Sequence, residues 1–393
     1  MAGAGHRTAA MKRVLLVQPS LQPPGGGNGV AAWALQALVS AHRVTVLTWR
    51  PVEVEPINRF FGTNLRPSNF DTIVVPAAWT ALPDRLPTPA ALLKLSLLTR
   101  YTRMVSAGFD VIFGLHNETD YGRRGIQYIH YPTYLRPRPP ADRRWYHQPK
   151  AALAAYYALA DRLAGLSLAR VKSNVTLVNS NWTGEQVRRL LGGNPRTLYP
   201  PVTDPGPGRP WAQRAPDFLA IGRIAPEKEY EKVMRIVARV RADGHDAKLT
   251  IVGTWDRHTA GYLAGLQSQA RSLGDWIRFR ENVSRDELRD LMGSHRYGLH
   301  GMREEHFGMA PAELARAGVV VWVAAGGGQV EIVGDEPALI YQSEEDAAAK
   351  IVAVLSDPPA QERLRQGLAA SAPRFSTERF MHEIREVVED FSN

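Results

Sequence analysis

Residues 14–38, VLLVQPSLQPPGGGNGVAAWALQAL, decide the fold. The first four are aliphatic, the centre is too rich in Pro and Gly for regular structure, and from Val30 an Ala/Leu/Trp run has the composition of a buried helix. Strand, glycine-rich loop and helix, in that order, form the opening unit of a parallel α/β sheet. The alternation continues. Residues 44–47 (VTVL), 72–75 (TIVV), 111–113 (VIF) and 126–129 (IQYI) read as further strands, spaced widely enough for helices between them.

Length and charge set the outer limits. A chain of 393 residues is too long for one ordinary core and suits two α/β domains, at roughly 150 residues per domain. With 44% hydrophobic and 22% charged residues the chain is globular in composition. Zero cysteines exclude a disulfide framework, a thiolate metal site and a cysteine nucleophile. The net charge of +9 is unevenly spread: residues 1–200 hold 24 Lys+Arg against 10 Asp+Glu, net +14, and the remainder holds 24 against 29, net −5. A basic first half suits an anionic partner, such as a lipid phosphate, an acidic bilayer or a nucleic acid. The opening residues hold no apolar stretch with a cleavage site, and no run of 18 apolar residues occurs, so we expect a cytoplasmic protein, peripheral on the inner face of a membrane where it meets one.

Residues 136–150, RPRPPADRRWYHQPK, read as an exposed basic loop. The helix expected over 151–168 is interrupted by Asp161 and Arg162, too polar to span a bilayer, and reads as a partly buried connector. Residues 199–208, YPPVTDPGPG, carry the linker, and beyond it strands are expected at 218–222, 249–252, 277–279, 297–300 and 319–323. The domains are therefore drawn at 1–203 and 204–374, with a closing amphipathic helix in 375–393 that is expected to return to the first domain.

Two clusters carry chemistry. After the strand ending at Ile221 comes Gly222-Arg223-Ile224-Ala225-Pro226-Glu227-Lys228, which we expect to enter a helix with Pro and acid in its first turn. Such a turn lies at the carboxyl ends of parallel strands, where ligands bind, and Arg with Lys suits a diphosphate. Taken alone, the two cations read equally as solvated surface charge. The second cluster is LHGMREEHFGMAPAE, residues 299–313, in which Glu305 and Glu313 stand eight apart around a turn and a helix start. Carboxylates accept sugar and ribose hydroxyls, and the amides of Gly308 and Met309 at the helix start suit phosphates.

These motifs, with Gly326-Gly327-Gly328-Gln329-Val330-Glu331-Ile332-Val333 further on, resemble glycosyltransferase family 4. LHxMxxEHFG, QYIHYP at 127–132, NSNWT at 179–183 and LYPP at 198–201 are similar to the α-1,2-mannosyltransferases of the dolichol-linked oligosaccharide pathway, over roughly residues 12–357. The resemblance implies a retaining GT-B enzyme: two Rossmann-like domains facing each other across a cleft, the first for the acceptor and the second for the nucleotide-sugar. It implies that Arg223 and Lys228, beside Gly222, hold the donor diphosphate, that Glu305 holds the sugar hydroxyls and that Glu313 holds the ribose. Phe307, Gly308 and Met309 would add backbone contacts, Gly26 and Gly27 would approach the donor phosphate, and His130 would lie near the reacting sugar. It also implies mannose from GDP-mannose passing to a glycan or lipid-linked acceptor, with no cofactor and no catalytic metal. No Asp-x-Asp and no His/carboxylate cluster with ligand spacing occurs.

Rivals are a transferase of the same fold using a UDP-sugar, an enzyme acting on a sugar phosphate, a basic nucleic-acid-binding protein and a non-catalytic partner subunit. Dispersed Arg/Lys without a recognisable RNA-binding signature speaks against nucleic acid, and the intact Arg223, Lys228, Glu305 and Glu313 speak against a degenerate subunit.

Overall fold

A computed structural model describes residues 11–84, 91–132, 150–206 and 208–392. The basic loop expected at 136–150 lies, up to residue 149, outside the described residues. The chain divides into two compact units: one runs to Asn179, with Thr183–Pro201 and the segment from Glu378, and the other is Ser180–Trp182 with Val202–Thr377.

Among the described residues the first unit holds a seven-stranded sheet: β1 (Arg13–Val17), β2 (Arg43–Thr48), β3 (Asp71–Val74), β4 (Val111–Gly114), β5 (Ile126–Ile129), β6 (Val175–Val178) and β7 (Arg196–Thr197). Their order is β3-β2-β1-β4-β5-β6-β7, all parallel. The second unit holds six: β8 (Ala215–Arg223), β9 (Leu249–Thr254), β10 (Ile277–Glu281), β11 (His295–His300), β12 (Val320–Ala324) and β13 (Ile340–Tyr341), in the order β10-β9-β8-β11-β12-β13, again all parallel. The α/β expectation of two Rossmann-like domains therefore holds. In each sheet the winding reverses once, between β1 and β4 and between β8 and β11, and at such a reversal the loops at the strands' carboxyl ends diverge and leave a ligand crevice.

Side-chain alternation builds the layers. Val14 and Leu16 of β1 and Val111 and Phe113 of β4 enter one apolar cluster with the helix Gly26–Val39, whereas Leu15, Val17 and Ile112 enter the cluster on the other face. Burying both faces is what a parallel sheet requires, and it explains continuous apolar strands such as β12, buried throughout. The helix Thr377–Asp390 adds Phe380, Ile384, Val387 and Val388, a stripe at helical spacing, to the same cluster as β1.

Two local expectations need correction. The glycine-rich loop was expected to run to Gly29, but Gly26 and Gly27 are already the first turn of the helix, because Gly25 alone, at φ 145°, makes the sharp entry. The helix expected from Pro226 is only a 3₁₀ turn, Pro226–Lys228; Glu229, left-handed at φ 50°, breaks it, and the α-helix runs Tyr230–Ala242.

Candidate functional site

In the second unit the site grows from the loops after β8, β11 and β12. The Glu229 kink turns Lys228 back from its own helix, so that its Nζ reaches Oε2 of Glu305 at 2.5 Å and Sδ of Met302 at 3.4 Å. His300, the last residue of β11, places Nε2 3.1 Å from the same Oε2. Burial pushes the His300 pKa down, so the ring is neutral and donates its Nε2–H to the carboxylate. Burial opposes ionisation of Glu305, but the hydrogen bond from His300 and the charge of Lys228 outweigh it and hold the carboxyl well below the usual range. The result is a fixed anion held between a cation and a neutral donor.

The backbone of this loop is clamped from both sides. A Cβ on Gly301 would lie 2.7 Å from the Lys228 carbonyl oxygen, and Lys232 Nζ donates to the Gly301 carbonyl at 2.6 Å. Gln329, fully buried, donates through Nε2 to the carbonyls of Met302 (2.8 Å) and Ala324 (2.7 Å). The Gly328 amide donates to the Glu305 carbonyl at 2.7 Å, and Gly327, at φ 74°, lies so close under Glu305 that no side chain fits. The glycine run after β12 thus positions Glu305.

The remaining expected residues of this unit lie around that core. Gly222, at φ 150°, is the last residue but one of β8 and lies beside Lys228. Arg223 is the exposed member: its side chain is 68% accessible and pairs with Glu227 at 3.0 Å. Gly308, at φ 108°, starts the helix Met309–Arg316 with no side-chain cap. Phe307 buries its ring against Phe375, 5.7 Å between centroids. Glu313 is not an open carboxylate: Arg285 holds it at 2.7 Å, with both side chains mostly buried.

In the first unit the structure brings Gly27 and His130 together. A Cβ on Gly27 would lie 3.3 Å from Nε2 of His130. His130 follows β5; its Nε2 lies 3.0 Å from the Leu115 carbonyl oxygen, and its amide donates to Asn117 Oδ1 at 2.8 Å. Asn28 braces the turn below, donating to the Gln22 carbonyl at 2.6 Å and accepting from Gln18 Nε2 at 3.0 Å. Gly26 precedes these in the same helical turn.

Sequence reading assigns no role to His300 or to the supports Lys232, Arg285, Gln329 and Asn117, although His300 and Gln329 stand inside the quoted motifs. His300 carried a signal, a histidine ending a strand five residues before the key glutamate; Arg285 carried none, since only tertiary folding brings it to Glu313. Among the described residues no group of three or more His, Asp or Glu is arranged to hold a metal ion. No described helix is long and apolar enough to cross a membrane.

Residues 208–369, almost the whole second unit, match the family model described as Glycosyl transferases group 1. The GDP-Man:Man(3)GlcNAc(2)-PP-Dol alpha-1,2-mannosyltransferase of Mus musculus is 30% identical over 230 residues, covering 53% of this chain and 46% of that protein. Its Homo sapiens counterpart is 29% identical over 231 residues, with the same coverage. The chain thus spans about half the length of these curated relatives. Among solved structures, Anabaena Alr3699/HepE in complex with UDP aligns with TM-score 0.70 at 15% identity, covering 97% of this chain and 100% of that one. WaaG, a glycosyltransferase involved in lipopolysaccharide biosynthesis, aligns with TM-score 0.68 at 14% identity, covering 96% and 100%. At such identities the likeness is one of fold.

Proposed function

From the premise that the second unit carries a group 1 glycosyltransferase domain, we propose that this chain is a retaining glycosyltransferase moving mannose from GDP-mannose to a glycan or lipid-linked acceptor. The observation that carries the reading is the convergence of Lys228, Glu305 and His300 at the winding reversal of the second sheet, inside the matched segment. The names of the mouse and human relatives support the donor and the lipid-linked acceptor.

In this reading Lys228 and Arg223 bind the donor diphosphate beside Gly222, and Lys228 exchanges Glu305 for the phosphates. Glu305, kept ionised by His300, then accepts hydroxyls of the transferred sugar. Glu313 accepts the ribose hydroxyls while Arg285 fixes its orientation, and the backbone of Phe307, Gly308 and Met309 faces the phosphates. Gly26, Gly27 and His130 serve the phosphate and acceptor side from the first unit. The acceptor hydroxyl attacks from the face the diphosphate leaves, the leaving phosphate takes its proton, and the cations and amides stabilise the charge that develops. The reaction asks for no cofactor beyond the donor. Acceptor binding and contact with an anionic bilayer belong to the first unit, since residues 1–200 carry a net +14.

The test is binding and transfer. Thermal shift against GDP-, UDP-, ADP- and dTDP-sugars, with and without Mg²⁺, should yield one stabilising family, with GDP-mannose leading. Glu305→Ala should lower transfer by roughly 100-fold or more in a folded protein, as loss of one preorganised polar group does. Lys228→Ala should weaken donor binding about tenfold, the effect of losing one charge-assisted hydrogen bond. Unchanged rates in both variants would dismiss the site.

A further inference from the structure

Tyr230, the first residue of the helix Tyr230–Ala242, is 2% exposed, and its hydroxyl makes no hydrogen bond among the described residues. Other buried tyrosines behave differently. Tyr121 donates to the Ile126 carbonyl at 3.1 Å, Tyr128 to the Leu198 carbonyl at 2.7 Å, Tyr297 to Gln361 Oε1 at 2.9 Å and Tyr341 to the His300 carbonyl at 2.7 Å. A buried hydroxyl left unpaired destabilises a fold, and the same ring without it, a phenylalanine, would avoid the cost. The position of the hydroxyl indicates what it waits for. It lies 3.1 Å from where a Cβ of Gly222 would stand, and the Cε and Cδ of Lys228 lie 3.8 and 3.9 Å from that same point. The charges it senses are Glu305, Arg223 and Glu227. Burial raises its pKa, so it keeps its proton and remains a donor.

We propose that the Tyr230 hydroxyl is a ligand-reserved donor to the β-phosphate of the nucleotide-sugar, bound there together with Lys228 when that lysine leaves Glu305 for the diphosphate. Glycine at 222 keeps the approach open, because any side chain there would fill the space between hydroxyl and ligand. The β-phosphate is the one joined to the sugar, which sets it beside Glu305, the charge that acts most on this hydroxyl. The inference rests on the donor-site reading above.

Tyr230→Phe tests it. Calorimetric affinities of wild type and variant would be taken for GDP, GMP, UDP and UMP, with melting temperatures of both unliganded proteins. The diphosphate bound by the wild type should bind the variant about tenfold more weakly, the loss expected for one hydrogen bond to a charged group, while its monophosphate binds both alike. The unliganded variant should melt at the same or a higher temperature. Equal diphosphate affinity in the two proteins, or a lower melting temperature for the unliganded variant, overturns the proposal and leaves the donor site standing. A wild type that binds neither GDP nor UDP overturns both.

Discussion

Glu305 and His116 show two ways in which the charge of a buried side chain is set: partners keep Glu305 ionised against its burial, and burial itself keeps His116 neutral. His116 follows β4, its Nδ1 3.1 Å from the Val17 carbonyl oxygen and its Nε2 3.2 Å from the Thr119 hydroxyl. Burial pushes its pKa down to about 4, so the folded protein holds a neutral ring where the unfolded chain titrates near 6.5. Between those values the unfolded state binds the extra proton. Stability contributed by neutral His116 is therefore complete above the unfolded pKa and is lost as pH falls towards about 4, by about 3 kcal/mol in all. Glu305, also depressed, adds its loss below the ordinary carboxylate range, at lower pH. Chemical denaturation at pH 7, 5.5 and 4 should show the first loss in the wild type and a shallower one in His116→Asn, which keeps a donor for the Val17 carbonyl. Identical slopes would move the titrating group elsewhere.

At the scale of elements, the turn between β12 and the helix Gln329–Ile332 supports the loop after β11. Gly327→Ala would set a methyl against the Glu305 backbone at a left-handed φ of 74°, so the loop must move. Displacing a catalytic group by about 1 Å costs roughly 100-fold in rate. We therefore expect Gly327→Ala to lose transfer nearly as completely as Glu305→Ala, with most of its fold retained, and circular dichroism beside an activity assay checks both halves. Full activity would free Glu305 from this turn. The same elements show what the sequence made legible. Strands of four or more aliphatic residues, such as β1 and β12, were readable because two buried faces demand a continuous apolar run. β7 and β13, two residues each, are too short to show any period and exist because a neighbouring strand offers hydrogen bonds. The helix start at Gly26 and the break at Glu229 depend on single positive φ values, at Gly25 and Glu229, that composition does not encode. Motif spacing brought Lys228 and Glu305 forward as candidates, but that they meet, and that His300 and Gln329 hold the meeting in place, follows from strand order.

For the whole molecule, the decisive segment is the helix Thr377–Asp390 with Phe391 after it. Phe380, Ile384, Val387, Val388 and Phe391 are buried in the first unit's core, and Lys12 Nζ caps the closing turn through the carbonyls of Val388 (2.8 Å), Glu389 (2.9 Å) and Phe391 (2.8 Å). At roughly 1.5–3 kcal/mol for each buried side chain, burial of these five contributes about 10 kcal/mol before the entropy of ordering the segment is subtracted. The core of the first unit is therefore incomplete without residues 380–391. A chain ending at Ser376 should expose the first unit to protease, with early cuts in residues 11–179, while the six-stranded unit resists. A synthetic peptide of residues 374–393 should restore protection when added in excess. If the truncated chain resists protease throughout, the first unit draws its stability from its own sheet and helices, and the returning helix is an accessory.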